Sequence, residues 1–168
     1  MVKLIVYDVD KTIWDHYNVS EFEPPFKKEN NSIYDSKGRK LTLFPGVRET
    51  LIEVSKYNVF LGLATWNNEK PLYEILDMLG ILRFFKYVVA RPYPYKSYML
   101  LEIIKELRKA GNNLKPEEIV YIDDRRIHFG KIWLELGPVK CIEMWKDFKD
   151  HFALKEFLVN LISKERNA

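Results

Sequence analysis

Two aspartates, Asp8 and Asp10, follow the apolar run Leu4-Ile5-Val6-Tyr7 in the stretch KLIVYDVDKTIW. In an extended strand residues two apart share a face, so both carboxylates can point to one side where the strand gives out. Other segments end in comparable chemistry. The apolar run 59–65 leads into Thr65-Trp66-Asn67, the run 119–122 is followed by Asp123-Asp124, and Lys96 stands just ahead of a helix-period segment. Two carboxylates about 4 Å apart repel by roughly 4 kcal/mol at an effective dielectric near 20. A divalent cation relieves that repulsion. An all-oxygen ligand set suits Mg²⁺ better than zinc, and Mg²⁺ commonly binds a substrate phosphate while keeping several of its waters. These residue types therefore point to phosphoryl transfer.

The elements that must position them can be read from periodicity. Short, nearly continuous apolar runs at 4–9, 59–65, 87–90, 119–122 and 139–144 read as strands, and 47–57, 70–79, 97–110, 127–136 and 152–163 carry apolar residues at helical spacing. Strands without polar alternation are covered on both faces, so the expected class is α/β, a doubly wound, mainly parallel sheet in a three-layer sandwich. In such a sheet ligands bind beyond the carboxyl ends of the strands, where the aspartates fall. Pro45-Gly46 precedes the first helix, Gly80 and Gly111 follow the second and third, and Gly137-Pro138 closes the fourth. One segment interrupts the alternation. From about 16 to 44 the chain is polar, and Asp35-Ser36-Lys37-Gly38 between two short β-like runs reads as a small β-hairpin flap. The expectation is one domain over 1–168 with that flap, no large cap domain, and a terminus at 164–168 that frays.

Composition narrows the class further. A chain of 168 residues with 47% hydrophobic content can build a full core. Its apolar runs are too short to cross a bilayer, and Asp8 breaks the first before it could act as a leader, so no membrane association and a cytoplasmic location are expected. A single cysteine, Cys141, excludes an intrachain disulfide and reads as a buried residue of the last strand. A net charge of +3, spread along the chain, makes nucleic acid an unfavoured partner. His16, His128 and His151 lack metal-ligand spacing and read as surface or packing residues. Trp14, Trp66, Tyr93 and Tyr95 stand near the motifs and could line a cleft; Trp14 and Trp66 read equally as packing, and the prolines around Tyr93 read as a surface loop. The flap's lysines and Arg39 read as a solvated hairpin, and Arg91, Arg125 and Arg126 are secondary phosphate candidates.

DVDKT at Asp8 to Thr12, Thr65, Lys96 and Asp123-Asp124 resemble the four ordered motifs of the haloacid dehalogenase (HAD) superfamily. More narrowly, DVDKTIW, Pro24-Pro25-Phe26, DSKGR and LFPGV resemble the magnesium-dependent phosphatase-one family. That resemblance implies a HAD-like Rossmannoid fold and a Mg²⁺-dependent phosphatase. Asp8 would be the nucleophile that forms an aspartyl-phosphate. Asp10 would act as general acid and then general base, with its backbone carbonyl also on the metal. Asp124 would ligate the metal, with Asp123 as support or as partner of Lys96, and Thr65 and Lys96 would bind the transferring phosphoryl oxygens. The metal set is thus Asp8, Asp10, Asp123 and Asp124, and Thr12, Trp14, Trp66, Asn67 and Lys96 are the substrate-binding candidates. Lys11 departs from the apolar or aromatic residue common at that position, and Trp66-Asn67 from a smaller pair. The implied substrate is a phosphorylated small molecule or phosphoprotein: an aryl, phosphotyrosine or sugar phosphate. A non-catalytic phosphate-binding module and a nucleic-acid end phosphatase stay open as alternatives, and the sequence is silent on oligomeric state.

Overall fold

The computed structural model describes residues 1–163. The expected fraying of 164–168 lies outside the described residues. Eight strands are present among them: β1 Leu4–Tyr7, β2 Lys27–Glu29, β3 Ser32–Tyr34, β4 Lys40–Thr42, β5 Phe60–Trp66, β6 Tyr87–Arg91, β7 Ile119–Asp123 and β8 Lys140–Glu143. Five helices accompany them: α1 Val47–Val54, α2 Glu69–Met78, α3 Lys96–Lys109, α4 Phe129–Leu136 and α5 His151–Ser163. β6, β5, β1, β7 and β8 form one parallel sheet in that order. β1 lies at its centre, in register with Phe60–Leu63 on one side and Ile119–Ile122 on the other.

The two faces of β1 explain the layers. Ile5 and Tyr7 join the cluster that holds Leu51 of α1, Ile75 of α2 and Leu158 of α5. Leu4 and Val6 join Ile103 of α3 and Ile132 of α4 on the opposite face. A strand buried on both faces cannot alternate with polar residues, which is why LIVY carries none. After β1 the chain crosses to one side of the sheet for β5 and β6 and returns to the other side for β7 and β8. The strand order therefore reverses beside β1, and that reversal opens a crevice at its carboxyl end.

The expected elements are present with shifted ends. β1 stops at Tyr7, because Thr12 and Ile13 donate their N–H groups back to the Val9 carbonyl and turn the chain. α1 ends at Val54 rather than 57, and α4 begins at Phe129 after a single 3₁₀ turn at Arg126–His128. The flap differs most. It is a three-stranded antiparallel sheet, β2-β3-β4, because Asn30-Asn31 makes a second tight turn with Asn30 at φ 53°. Asparagine tolerates that left-handed backbone. Ile33 and Leu41 of the flap are fully buried in the main core, and Phe44 and Asp15 bond across to Ile13 and Thr42. The hairpin is therefore docked onto the body of the protein. Among the described residues no helix is long and apolar enough to cross a membrane.

Candidate active site

The turn that follows β1 is pinned from several directions. The Thr12 hydroxyl lies 2.8 Å from Asp8 Oδ2 and 3.2 Å from Asp124 Oδ1, and accepts the Asp124 N–H. The Thr12 carbonyl lies 2.8 Å from Nε2 of His151, a fully buried side chain at the start of α5. Lys11 adopts φ 61°, its N–H donates to the His16 carbonyl, and its own carbonyl accepts Nε1–H of Trp145 at 2.7 Å. A non-glycine residue in this region costs of order 1 kcal/mol, which the flanking bonds offset.

Asp8 faces Lys96 at 2.5 Å. Lys96 opens α3, is 4% exposed, and also donates to the Ala64 carbonyl at 2.7 Å. Carboxylate oxygens of Asp8, Asp123 and Asp124 lie within 4.8 Å of one another. At an effective dielectric near 20, each such pair of charges repels by about 3–4 kcal/mol. Burial, followed by the charge of Asp8, pushes the carboxyl groups of both Asp123 and Asp124 upward. This is a hard-oxygen cluster that a divalent cation fits, since the cation would offset the repulsion and reverse that upward push. Asp123 contributes from behind: its oxygens accept the Tyr121 hydroxyl and the Arg125 N–H. No hydrogen bond joins it to Lys96 among the described residues, where Lys96 bonds Asp8 and the Ala64 carbonyl, so of the two expected roles of Asp123, ligand support or partner of Lys96, the hydrogen bonding favours the first.

Asp10 sits apart from the carboxylate cluster. Its Oδ1 accepts from Trp14 Nε1 at 2.9 Å and from the Val19 N–H at 3.1 Å, and its Oδ2 from Asn67 Nδ2 at 2.8 Å. Burial raises its pKa to about 6, while the Asn67 and Trp14 bonds pull the other way. Asp10 is expected on the metal through its backbone carbonyl, and its side chain, committed to these three donors, lies outside the carboxylate cluster.

A cleft of about 550 Å³ opens over Asp8, Asp10, Thr65, Asn67, Lys96 and Asp124. β5 explains two of them. Along its end Thr65 and Asn67 turn inward at 1% and 3% exposure while Trp66 turns out at 52%. Asn67 Nδ2 lies 2.6 Å from the Thr65 hydroxyl, and its Oδ1 accepts the Ser20 hydroxyl, which in turn accepts the Asn68 N–H. Trp66, Asn67 and Lys96 thus border the cleft. Thr12 and Trp14 are fully buried outside its lining, and both support carboxylates, so they hold the site from behind instead of meeting a substrate.

Sequence reasoning passed over Tyr17, Asn18, Ser20 and His128, which also line the cleft. The first three lie in the polar segment before the flap, where no periodicity marks them. The sequence offers His128 only as a surface or packing residue. Its place four residues after Asp124, at the end of the short turn that follows β7, was the available signal. Burial, then Lys96 and Arg125, lowers its pKa to about 4, so the ring is neutral near pH 7. Arg91, by contrast, is taken up by Glu102 and Glu69.

A central parallel strand thus delivers one aspartate to a buried lysine and to two further carboxylates. The N-terminal part of a Bacteroides fragilis protein, containing a phosphatase domain and complexed with Mg, is 15% identical with a TM-score of 0.64, covering 97% of this chain, which spans 41% of that one. A HAD-superfamily hydrolase from Ehrlichia chaffeensis is 11% identical with a TM-score of 0.65, covering 97% of this chain and 100% of that one. These likenesses establish the fold. The chain belongs to the acid phosphatase family, whose model matches residues 1–127. Human magnesium-dependent phosphatase 1 is 26% identical over 144 residues, covering 84% of this chain and 77% of that protein.

Proposed function

We propose that this phosphatase is a Mg²⁺-dependent phosphomonoesterase that works through an aspartyl-phosphate on Asp8, acting on aryl, phosphotyrosine or sugar phosphates as a single cytoplasmic domain. The observation that carries the reading is the division between two carboxylates two residues apart. One, Asp8, faces Lys96 inside an acidic cluster; the other, Asp10, is held by neutral donors with a pKa raised to about 6.

Asp8, Asp124 and the Asp10 carbonyl, with Asp123 behind them, would hold Mg²⁺, which when bound supplies charge neutralisation for the phosphate and the nucleophile. Asp8 attacks phosphorus, the P–O bond to the leaving group breaks, and protonated Asp10 supplies that oxygen's proton. Deprotonated Asp10 then takes a proton from the water that hydrolyses the acyl phosphate. A carboxyl with pKa near 6 can serve in both directions near neutrality. Thr65 and Lys96 donate to the transferring phosphoryl oxygens, where preorganised donors are worth most. A module that only bound phosphate would gain nothing from a second carboxylate poised to exchange a proton.

The test is hydrolysis of phenyl phosphate with and without Mg²⁺, with Asp8→Asn as control. Turnover that needs Mg²⁺ and is lost in folded Asp8→Asn supports the reading. Undiminished turnover in that variant refutes it.

A further inference from the structure

The phosphoryl machinery occupies the floor of the cleft and leaves its mouth to other side chains. Tyr17 and Trp66 line that mouth at 64% and 52% exposure. Exposed rings of this size are usually mobile, but Tyr17 is held on both counts. Its ring stacks on His16 with centroids 4.8 Å apart and 19° between planes, and its hydroxyl donates to Glu21 at 2.8 Å. Ser20 ties together the two backbone segments that carry these rings. It sits three residues after Tyr17, and its hydroxyl bridges Asn67 and the Asn68 N–H, directly after Trp66. Val19 ties the same segment to Asp10. A ring ordered before a ligand arrives, as that of Tyr17 is, loses little entropy when the ligand stacks on it.

Lys11 and Arg125 stand at the same mouth, both exposed. Their backbones are fixed, Lys11 by the His16 carbonyl and Trp145, Arg125 by Asp123. Neither enters an ion pair among the described residues, although twelve such contacts are made by other cations. In the reading above the transferring phosphate would meet Lys96 and the carboxylates that would hold Mg²⁺. Two further cations at the rim therefore suit a second anion.

We propose that Tyr17, Trp66, Lys11 and Arg125 form a leaving-group subsite that selects planar aryl phosphates carrying a second anionic group on the ring. This selectivity rests on the phosphomonoesterase reading above. The two rings cover the flat leaving group, and the two cations meet the anion at its far edge.

The experiment compares phenyl phosphate, 4-carboxyphenyl phosphate and the acyclic ester 2-glycerol phosphate as substrates, and phenylphosphonate against 4-carboxyphenylphosphonate as non-hydrolysable ligands. The unmodified protein prefers each carboxylated compound by about fivefold or more, the scale of two rim ion pairs, and the preference shrinks with added salt. In Lys11→Met/Arg125→Met that ratio falls towards one, whereas in the control Lys149→Met it does not move. In Tyr17→Ala/Trp66→Ala the ratio of kcat/KM for phenyl phosphate over 2-glycerol phosphate falls by about tenfold, the scale of two lost aromatic contacts. A carboxylate preference absent from the unmodified protein, or unchanged when both cations are gone, overturns the proposal. So does an equal loss on aryl and acyclic substrates in the ring variant. The phosphonate dissociation constants read the subsite without turnover. Absence of hydrolysis with a retained phosphonate preference would refute the phosphatase mechanism and leave the subsite standing.

Discussion

Replacing Trp14 by phenylalanine removes one hydrogen bond from Asp10 while keeping an aromatic ring in the core. The indole Nε1 is 2.9 Å from Asp10 Oδ1, and the bonds from the Val19 N–H and Asn67 Nδ2 remain. A hydrogen bond to a charged group contributes about 1.5–3 kcal/mol, and one pKa unit corresponds to about 1.4 kcal/mol. Loss of the donor disfavours the carboxylate, so the pKa of Asp10, already raised to about 6 by burial, climbs by about 1–2 units more. If Asp10 protonates the leaving oxygen in the slow step, kcat falls as pH rises through that value. The falling limb of the kcat–pH profile should therefore move up by about 1–2 units in the variant, measured with phenyl phosphate at saturating substrate and Mg²⁺. The effect should be weak with 4-nitrophenyl phosphate, whose leaving group needs little protonation. A limb that stays in place in a folded Trp14→Phe protein, or that moves equally for both substrates, refutes the assignment of Asp10 as the acid.

Three further outcomes follow from the geometry. Burial alone would raise the Asp35 carboxyl, but N–H groups of Glu23, Lys37 and Arg39 and the Arg39 side chain bring it down to about 2. The stability it gives is complete above its unfolded value near 4 and lost as pH falls towards 2, so Asp35→Asn costs about 2 kcal/mol in urea melts at pH 6 and far less near pH 2. Gly46 has φ 88°, and an added Cβ would meet His151 Cβ and the Phe152 backbone N at 3.0 Å, whereas Gly38 at φ 81° faces open space. Gly46→Ala should destabilise by more than about 2 kcal/mol and Gly38→Ala by about 1 kcal/mol, with equal losses contradicting the close approach of α5 to that turn. Mg²⁺ at 100 times its dissociation constant should stabilise the protein by about 2.7 kcal/mol, or about 5–10 °C in Tm, with the increment reduced in Asp124→Asn. An unchanged increment would remove Asp124 from the metal site.

The parallel sheet was legible because burial on both faces leaves a plain signature, runs such as LIVY and IVYI with nothing polar in them. Asp8, Lys96 and Asp124 were legible because each sits where an element begins or ends, and the strand order carries all three to one crevice. What could not be read was direction. Trp14 looks in the sequence like any aromatic near a motif, and only the turn closed by Val9 sends it inward to hold Asp10. Tyr17 and Ser20 sit in a polar stretch that has no period, and their place over the cleft depends on a bond to Asn67, 47 residues from Ser20. The second turn of the flap was missed because Asn30-Asn31 lies among charged residues, where a tight asparagine turn and an ordinary loop look alike.

Two aspartates separated by one residue would behave alike if spacing decided their chemistry. Environment decides it here. Asp8 is met by a full positive charge and by two carboxylates, so its surroundings are governed by charge balance and call for a cation. Asp10 is met only by an indole, a backbone amide and a side-chain amide, all neutral. Burial raises its pKa by more than these neutral donors lower it, which leaves its proton affinity near neutrality. A lysine in place of Asn67 would orient Asp10 equally well and hold it ionised, which would retain the base and remove the acid. The expected result for Asn67→Lys is therefore a selective loss: hydrolysis of phenyl phosphate falls far more than that of 4-nitrophenyl phosphate. Equal loss on both substrates would mean that Asn67 acts on phosphate binding and has no part in tuning Asp10.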